Sequence, residues 1–264
     1  MCGRYVSVRS DDDLTNEFDV DEVVGEQLAP SWNVAPTDSV RIIAKRRPHG
    51  STDPTAEPLI QLRTASWGLI PGWTRRPAGS NGSLATSRPR KSSAKMINAR
   101  SETVASKPAF KTAAARRRCL TPSLGYFEWQ KDNGRKIPYF LHDPADRTLA
   151  MAGLYEIWRD DALSEDDPQR WVWTCSIITR PATDLLGEIH DRCPVLVPQG
   201  LQQKWLDCSD DDPGVAQRLL DEMPEPHLDI RLVSTAVGNV KNNGPELIEP
   251  LDSDAVEGQQ LLDF

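Results

Sequence analysis

Four strand-like segments follow one another in the middle of the chain with no helical segment between them. They read GYFEW (125–129), IPYFLH (137–142), LAMAGLYEIW (149–158) and WVWTCSIIT (171–179). Aromatic and β-branched residues of this kind favour strands. Parallel neighbours need a long crossover that is usually helical, so strands in direct series predict a mainly antiparallel sheet. This series argues against an alternating βαβ fold.

The remaining segments add helices at the periphery of this sheet. Further strands are predicted at 39–45, 59–70 and 228–234, and helices at 11–25, 101–118 (interrupted near Pro108), 181–190, 198–207 and 213–222. The chain has no internal repeat and no obvious linker. We therefore predict a single α+β domain over residues 1–250, followed by a C-terminal tail at 251–264.

Charge is unevenly distributed along the chain. The formal net charge is −8, yet the stretch 74–118 holds twelve Lys and Arg residues and one acid, Glu102. The other residues include 19 basic and 38 acidic side chains. A basic island in an acidic chain predicts a local site for a polyanion. The alternative is a solvated loop at 74–95, which is too polar to pack and longer than ordinary connections, followed by a charged helix face.

The composition disfavours several classes of protein. No apolar run approaches the roughly 18 residues of a membrane span, and no secretory signal precedes Cys2, so we expect a cytoplasmic protein. The five cysteines are scattered and form no C-x-x-C pair, which argues against disulfides and zinc. No G-x-G-x-x-G or P-loop motif supports a nucleotide cofactor. We expect neither metal nor cofactor, and buried structural thiols at Cys119 and Cys175.

Cys2 lies directly behind Met1. Removal of Met1, by an aminopeptidase or by the protein itself, would leave an α-amine and a thiol on adjacent carbons. Ordinary pKa values of about 7.7–8.0 for the amine and about 8.5 for the thiol leave both groups partly deprotonated near neutrality. Such an aminothiol condenses with an aldehyde and closes a five-membered thiazolidine ring. It can also act as a nucleophile toward amides.

Three other polar residues could assist Cys2. Asn98 follows the basic loop, and His190 lies at the end of a short predicted helix. Glu128 stands among the aromatic residues of GYFEW, where desolvation would raise its pKa toward values useful in proton transfer. Each also has an ordinary structural explanation, as a capping amide, a surface imidazole or a satisfied acid. Spacing alone does not join them.

Six motifs in order along the chain resemble one known family. They are MCGRY (1–5), WNVAPT (32–37), WGLIPGW (67–73), INARSETVASKPAFKTAAARRRCLTPSLGYFEW (97–129), IHDRCPVLV (189–197) and STAVGNVKNNGPELIEP (234–250). Together they resemble the SRAP family, the SOS response-associated peptidases that crosslink to abasic DNA. The resemblance runs from residue 2 to about residue 250.

The resemblance implies a catalytic set. Cys2 would attack the open-ring aldehyde of an abasic site and trap it as a thiazolidine. Asn98 would orient the N-terminal cysteine and the sugar. Glu128 would be the acid–base carboxylate, active in imine chemistry and in the release of Met1, and His190 would assist opening of the sugar ring.

The resemblance also implies a surface for single-stranded DNA with abasic sites. The residues implied in DNA binding are Arg4, Asn33, Trp73, Arg100 and Arg192. The arginines would contact phosphates, and Trp73 would pack against bases beside the lesion. Thr74 stands where some members carry a second tryptophan. We expect a monomer that acts without a membrane, a metal or a cofactor and joins the nucleoid on damage.

Three other functions remain open from the sequence. A class II glutamine amidotransferase also often begins with MCG, and release of ammonia from glutamine would identify it. A nucleic-acid-binding module without catalysis would give a salt-sensitive, wholly reversible complex. A peptidase acting on other proteins could use Cys2, Glu128 and His190, although processing of Met1 alone is the more economical proposal.

Overall fold

The computed structural model describes residues 2–53, 55–75, 93–161 and 163–251. Its strands are β1 (Arg4–Ser7), β2 (Glu22–Val24), β3 (Ser31–Val34), β4 (Ser39–Arg46), β5 (Leu59–Trp67), β6 (Asn98–Arg100), β7 (Arg118–Ser123), β8 (Gly125–Asp132), β9 (Arg135–His142), β10 (Leu149–Arg159), β11 (Trp171–Pro181), β12 (Arg192–Pro194) and β13 (Asp229–Leu232). Its α-helices are α1 (Asp11–Glu17), α2 (Pro108–Arg116), α3 (Asp184–Ile189), α4 (Gln199–Leu206) and α5 (Pro213–Glu222).

The strands form two sheets. The first has the order β13-β9-β8-β1-β3, and every neighbouring pair in it is antiparallel. The second has the order β12-β11-β10-β7-β4-β5-β2, in which only β5 and β2 run parallel. A parallel pairing of β11 with β5 closes five of these strands into a small barrel. The predicted α+β fold with mainly antiparallel sheets is confirmed.

Side-chain alternation along the barrel strands creates two cores. On β4, Ile43 faces outward into a cluster built with the helices, which includes Phe110, Trp205 and Leu219. Its neighbour Ile42 faces inward, because successive residues of a strand point to opposite faces. The predicted buried thiols at positions 119 and 175 are confirmed, since both lie in the inner cluster and are free.

Two predicted helices begin or end elsewhere than expected. The helix expected at 11–25 is correctly started by Ser10, which forms a capping box with Asp13, but it ends at Glu17. The chain then turns through Asp19 (φ 50°) and continues as β2 beside β5. Pro108 does not interrupt a helix but begins α2, where its missing N–H costs nothing.

The domain boundary remains a prediction. Most of the expected tail, residues 252–264, lies outside the described part of the chain. Within the described part, no helix is both long enough and apolar enough to span a bilayer.

Candidate active site around Cys2

The first sheet fixes the position of the N-terminal segment. β1 lies between β3 and β8, and Arg4 pairs with Phe127 and Tyr5 with Tyr126. This register brings the residues before Arg4 alongside Glu128. The Cys2 side chain is fully buried in the inner core cluster, which also contains Tyr5. Cys2 is therefore held between the first sheet and the barrel.

Asn98 binds the backbone of Cys2. Its Nδ2 donates a 2.8 Å hydrogen bond to the Cys2 carbonyl oxygen. The three-residue strand β6 holds Asn98 in place through its parallel pairing with β11, where Asn98 lies opposite Ile177. The amide oxygen Oδ1 is buried and has no hydrogen-bond partner among the described residues. An acceptor remains available beside Cys2 for a ligand.

A cleft of about 570 Å³ opens next to Cys2. Its lining residues are Gly3, Arg4, Glu128, Trp129, Lys131, Lys136, His190, Thr235 and Gly238. Glu128 and His190, which are 62 positions apart in the sequence, therefore line the same cleft. The hydrogen bond from Gln130 Nε2 to the Glu188 carbonyl (3.2 Å) ties β8 to α3 and holds these walls together.

Burial shifts the proton affinities of Glu128 and Cys2. Glu128 is 3% exposed, and desolvation raises its pKa to about 7. The pKa of the Cys2 thiol is raised well above its ordinary value, first by burial and then by the charge of Glu128. A carboxyl group that titrates near neutrality beside a protonated thiol is suited to general acid–base chemistry.

His190 follows α3 and is half-buried at the cleft. The backbone N–H of Arg192 donates to its Nδ1 (3.0 Å), and the Asp191 carboxylate lies 2.9 Å from the same atom. Burial lowers the pKa of His190. A neutral imidazole carries a proton on one of its two ring nitrogens. The histidine can thus offer a proton donor at neutral pH.

Comparison with known proteins identifies the family of the chain. The family model described as SOS response associated peptidase (SRAP) matches residues 1–240. The chain belongs to the SRAP family. Membership also accounts for the order of the six motifs along the sequence.

SRAP relatives match nearly the whole chain. The "Abasic site processing protein YoqW" of Bacillus subtilis is 34% identical, covering 94% of this chain and 99% of the relative. The "Abasic site processing protein YedK" of Escherichia coli is 27% identical over 95% of this chain and 100% of the relative. A crystal structure of a Bacteroides thetaiotaomicron protein shares the fold, with a TM-score of 0.72, 24% identity and coverage of 95% of this chain and 100% of that one.

Two residues that the SRAP resemblance assigned to DNA, Arg4 and Asn33, are joined in one hydrogen-bond network. Asn33 is 3% exposed, and its Nδ2 donates to the carbonyls of Val237, Asn239 and Asn242. Its Oδ1 accepts from Arg4 Nη1 (2.8 Å). Asn33 thereby fixes the segment around Val237 and aims Arg4, which lines the cleft. Direct DNA contact by Asn33 stays a prediction.

Arg192 is also buried, at 8% exposure. Its guanidinium forms an ion pair with both carboxylate oxygens of Glu102 and donates to the Thr179 carbonyl. The pair holds the pKa of Glu102 down at about 2. The geometry thus gives Arg192 a role in joining β12 to the segment after β6, and its predicted phosphate contact would compete with Glu102.

We expect Glu102→Gln to lower stability by roughly 1–2 kcal/mol at pH 7. Arg192 would lose its carboxylate, but Glu102 is half exposed, so solvent screens part of the interaction. The stabilisation is present above pH 4.5 and is lost as the pH falls toward 2, because the folded-state pKa is depressed. Urea unfolding of both proteins at pH 7 and pH 3 measures this. Equal losses at the two pH values would contradict the ion-pair account.

Trp73 and Arg100 remain free for a ligand. Trp73 is 61% exposed, and Arg100 is exposed with no ion pair to another described residue. Most of the predicted basic loop, residues 76–92 with Arg88, Arg90 and Lys91, lies outside the described residues. No group of three or more potential metal ligands occurs in the described ranges.

Two lysines, Lys131 and Lys136, are among the cleft residues that sequence reasoning missed. They face each other directly across the β8–β9 hairpin. The signal was present: Asn133-Gly134 is a two-residue turn, with φ values of 48° and 86°. That turn type fixes the register and therefore pairs the two lysines. Like charges opposite one another cost stability, which is consistent with an anionic ligand.

Proposed function

We propose that this chain recognises abasic sites in single-stranded DNA and traps them covalently through Cys2 after loss of Met1. The names of the relatives, abasic site processing proteins, support the substrate. The observation that carries the mechanism is the contact of Asn98 with the Cys2 backbone beside a cleft that contains Glu128. A monomer and a cytoplasmic location remain our expectations.

The proposed reaction consumes one aldehyde and releases one water. The α-amine of Cys2 attacks C1′ of the open-ring sugar and forms a carbinolamine, which loses water to give an imine. The Cys2 sulfur then adds to the imine carbon, the C=N π electrons move to nitrogen, and the thiol proton ends on that nitrogen. The product is a neutral five-membered thiazolidine, which cannot promote the β-elimination that an imine would.

Glu128 and His190 would move the protons in this sequence. A carboxyl group with a pKa of about 7 can protonate the departing hydroxyl of the carbinolamine, recover a proton from the iminium nitrogen, and then relay the thiol proton to that nitrogen. The neutral imidazole of His190 would donate to the ring oxygen as the sugar opens. Asn98 would hold the backbone of Cys2 so that amine and thiol reach one carbon.

Release of Met1 would be a separate activity of the same site. A buried carboxylate beside the first peptide bond can act as the general base for its hydrolysis. We propose that Glu128 has this role and that processing of other proteins is not required. A Glu128→Gln protein that loses Met1 as fast as wild type would assign the processing to an ordinary aminopeptidase.

A denaturing gel tests the trapping function. The protein incubated with a single-stranded oligonucleotide containing one abasic site should give a heat-stable, shifted band without reductant. An intact oligonucleotide and a reduced, aldehyde-free abasic analogue should give none. Ammonia release from glutamine, or cleavage of other proteins without a shifted band, would favour one of the rival functions.

His190→Ala should slow crosslinking by about 10²-fold at saturating DNA while changing affinity by less than twofold. The reason is that a positioned proton donor typically contributes 10²–10⁴-fold to rate. Single-turnover rates with abasic DNA, and anisotropy with intact DNA, separate the two effects. Weakened affinity with an unchanged saturated rate would make His190 a DNA contact instead.

Removing the charge of both cleft lysines should weaken DNA binding. For Lys131→Gln combined with Lys136→Gln, we expect an affinity loss of about tenfold at low salt. The slope of log affinity against log salt concentration should also fall by the equivalent of up to two phosphate contacts. The hairpin should at the same time become slightly more stable, since the opposed charges are gone. Arg147→Gln, which removes an exposed charge bound to Asp143, is the matched control. Equal binding by both variants would exclude the lysines from the DNA surface.

A further inference from the structure

The barrel has a second end, on the side away from Cys2. The inward faces of β4, β5 and β11 carry Ala44, Ala65 and Cys175 in the inner core. The next residues on the same face, toward this second end, are Arg46, Arg63 and Trp173, each two positions from its inner neighbour. We call these three residues, with Trp171 beyond them on β11, the far mouth. Trp173 is four positions from Ile177, the partner of Asn98, or about 13 Å along the strand.

The far mouth holds two guanidinium groups against one indole. The Arg63 guanidinium lies 4.2 Å from the Trp173 ring centroid, and that of Arg46 lies 5.1 Å from it. Trp173 in turn stacks on Tyr155, with centroids 5.1 Å apart and an interplanar angle of 16°. Arg63 is 9% exposed, and its Nε donates to Gln61 (2.8 Å). Both cations are thus fixed in place by aromatic packing.

Arg46 and Arg63 lack the carboxylate partner that two other buried arginines have. Arg41 is paired with Asp11, and Arg192 with Glu102. Among the described residues, no carboxylate lies within ion-pair distance of Arg46 or Arg63. The Glu22 carboxylate near them accepts from Gln61 Nε2 and from the His49 backbone. Two fixed, adjacent cations that have no ion-paired carboxylate form a receptor for an anion such as phosphate.

The far mouth also exposes an aromatic surface. Trp171 is 52% exposed and shares the inward-facing side of β11 with Trp173. Apart from Trp73, the large exposed hydrophobic residues of the described chain are aliphatic, namely Val23, Leu185 and Val240. Trp171 lies two residues from Trp173 along β11. An exposed indole combined with guanidiniums that have no ion pair offers base stacking and phosphate binding together, which is how proteins hold single strands without reading sequence. Bases in a duplex are already stacked and would not use it.

We propose that the far mouth is a second binding site for single-stranded DNA, with phosphate on Arg46 and Arg63 and a base on Trp171. It goes beyond the trapping of abasic sites, since it needs neither a lesion nor Cys2. Its function would be to retain undamaged strand at a point separate from the cleft.

Binding of a fluorescent twelve-nucleotide oligo(dT), followed by anisotropy, tests this site. Trp171→Ala should weaken binding about tenfold, and Trp171→Phe should restore it to within twofold, because alanine removes a stacking surface that phenylalanine keeps. Arg46→Gln should flatten the salt dependence by about one phosphate contact, while the control Arg147→Gln should not. The loss caused by Trp171→Ala should persist in a protein that already carries Lys131→Glu and Lys136→Glu, since separate sites act independently.

Four outcomes would overturn the proposal. Unchanged oligo(dT) binding by Trp171→Ala and Arg46→Gln would show that the far mouth carries no strand. Disappearance of the Trp171→Ala effect in the lysine double variant would assign Trp171 to the cleft. Free dTMP binding as tightly as the oligonucleotide would indicate a nucleotide pocket. Polyglutamate binding as tightly, and insensitive to Trp171→Ala, would indicate a site for acidic proteins. None of these measurements requires crosslinking, so they stand apart from the test of the Cys2 reaction.

Discussion

An uncleavable N-terminal extension should abolish crosslinking to abasic DNA as completely as Cys2→Ala does. Thiazolidine formation needs a free α-amine and a thiol on adjacent carbons, and the extension converts the amine into an amide that cannot attack an aldehyde. An ordinary cysteine nucleophile would need mainly its sulfur and would tolerate the extension better. The measurement is the fraction of abasic oligonucleotide shifted on a denaturing gel, with intact mass confirming each N-terminus.

Cys2→Ser provides the matched control. Once its Met1 is removed, this variant keeps the amine and loses the sulfur, so we expect a labile imine that borohydride can trap. Strand cleavage should increase, because an unclosed imine promotes β-elimination. Since Cys2 is fully buried, folding of every variant is checked by urea unfolding. Normal crosslinking by the extended protein would show that the amine is not involved and that the thiazolidine mechanism is wrong.

Glu128→Gln should stabilise the protein at pH 8 by up to about 3 kcal/mol while impairing its chemistry. Burial raises the folded-state pKa of Glu128 from 4.5 to about 7, and each pKa unit is worth about 1.4 kcal/mol. A raised carboxyl pKa favours folding below pH 4.5, and this contribution is lost as the pH rises through 7. The wild type should thus become less stable, relative to the variant, between pH 5 and pH 8.

Urea unfolding across this range measures the difference, and Glu102→Gln is a control of opposite sign. The pKa of Glu102 is depressed, so Glu102→Gln should lower the stability of the protein at pH 7, whereas Glu128→Gln should raise it. The crosslinking rate of the wild type should also show an inflection near pH 7 that Glu128→Gln lacks. A difference between wild type and Glu128→Gln that does not vary with pH would mean that the carboxyl group is not desolvated in the folded protein.

The sequence predicted most of the longer strands and missed β7 and several short ones. Segments such as 125–129 and 171–179 were found because they are long enough to show strand composition. Strands β3, β6 and β12 have three or four residues, too few for a pattern, and they exist because a neighbouring strand pairs with them. The helix expected at 11–25 was overextended because Phe18 and Val20 are buried in the core through a turn, which satisfies the same apolar spacing.

The chemistry proposed for Cys2 follows from the sequence alone, because the spacing of amine and thiol within a cysteine does not depend on folding. The membership of Asn98 and Glu128 in one site was decided by tertiary structure. Asn98 reaches Cys2, 96 positions away, only because β6 pairs with β11, and Glu128 titrates near 7 only because other elements cover it. The same holds for Arg192, whose ion pair no local pattern predicts. Periodicity and motif spacing are local properties, whereas desolvation and pairing depend on which distant segments pack against a residue.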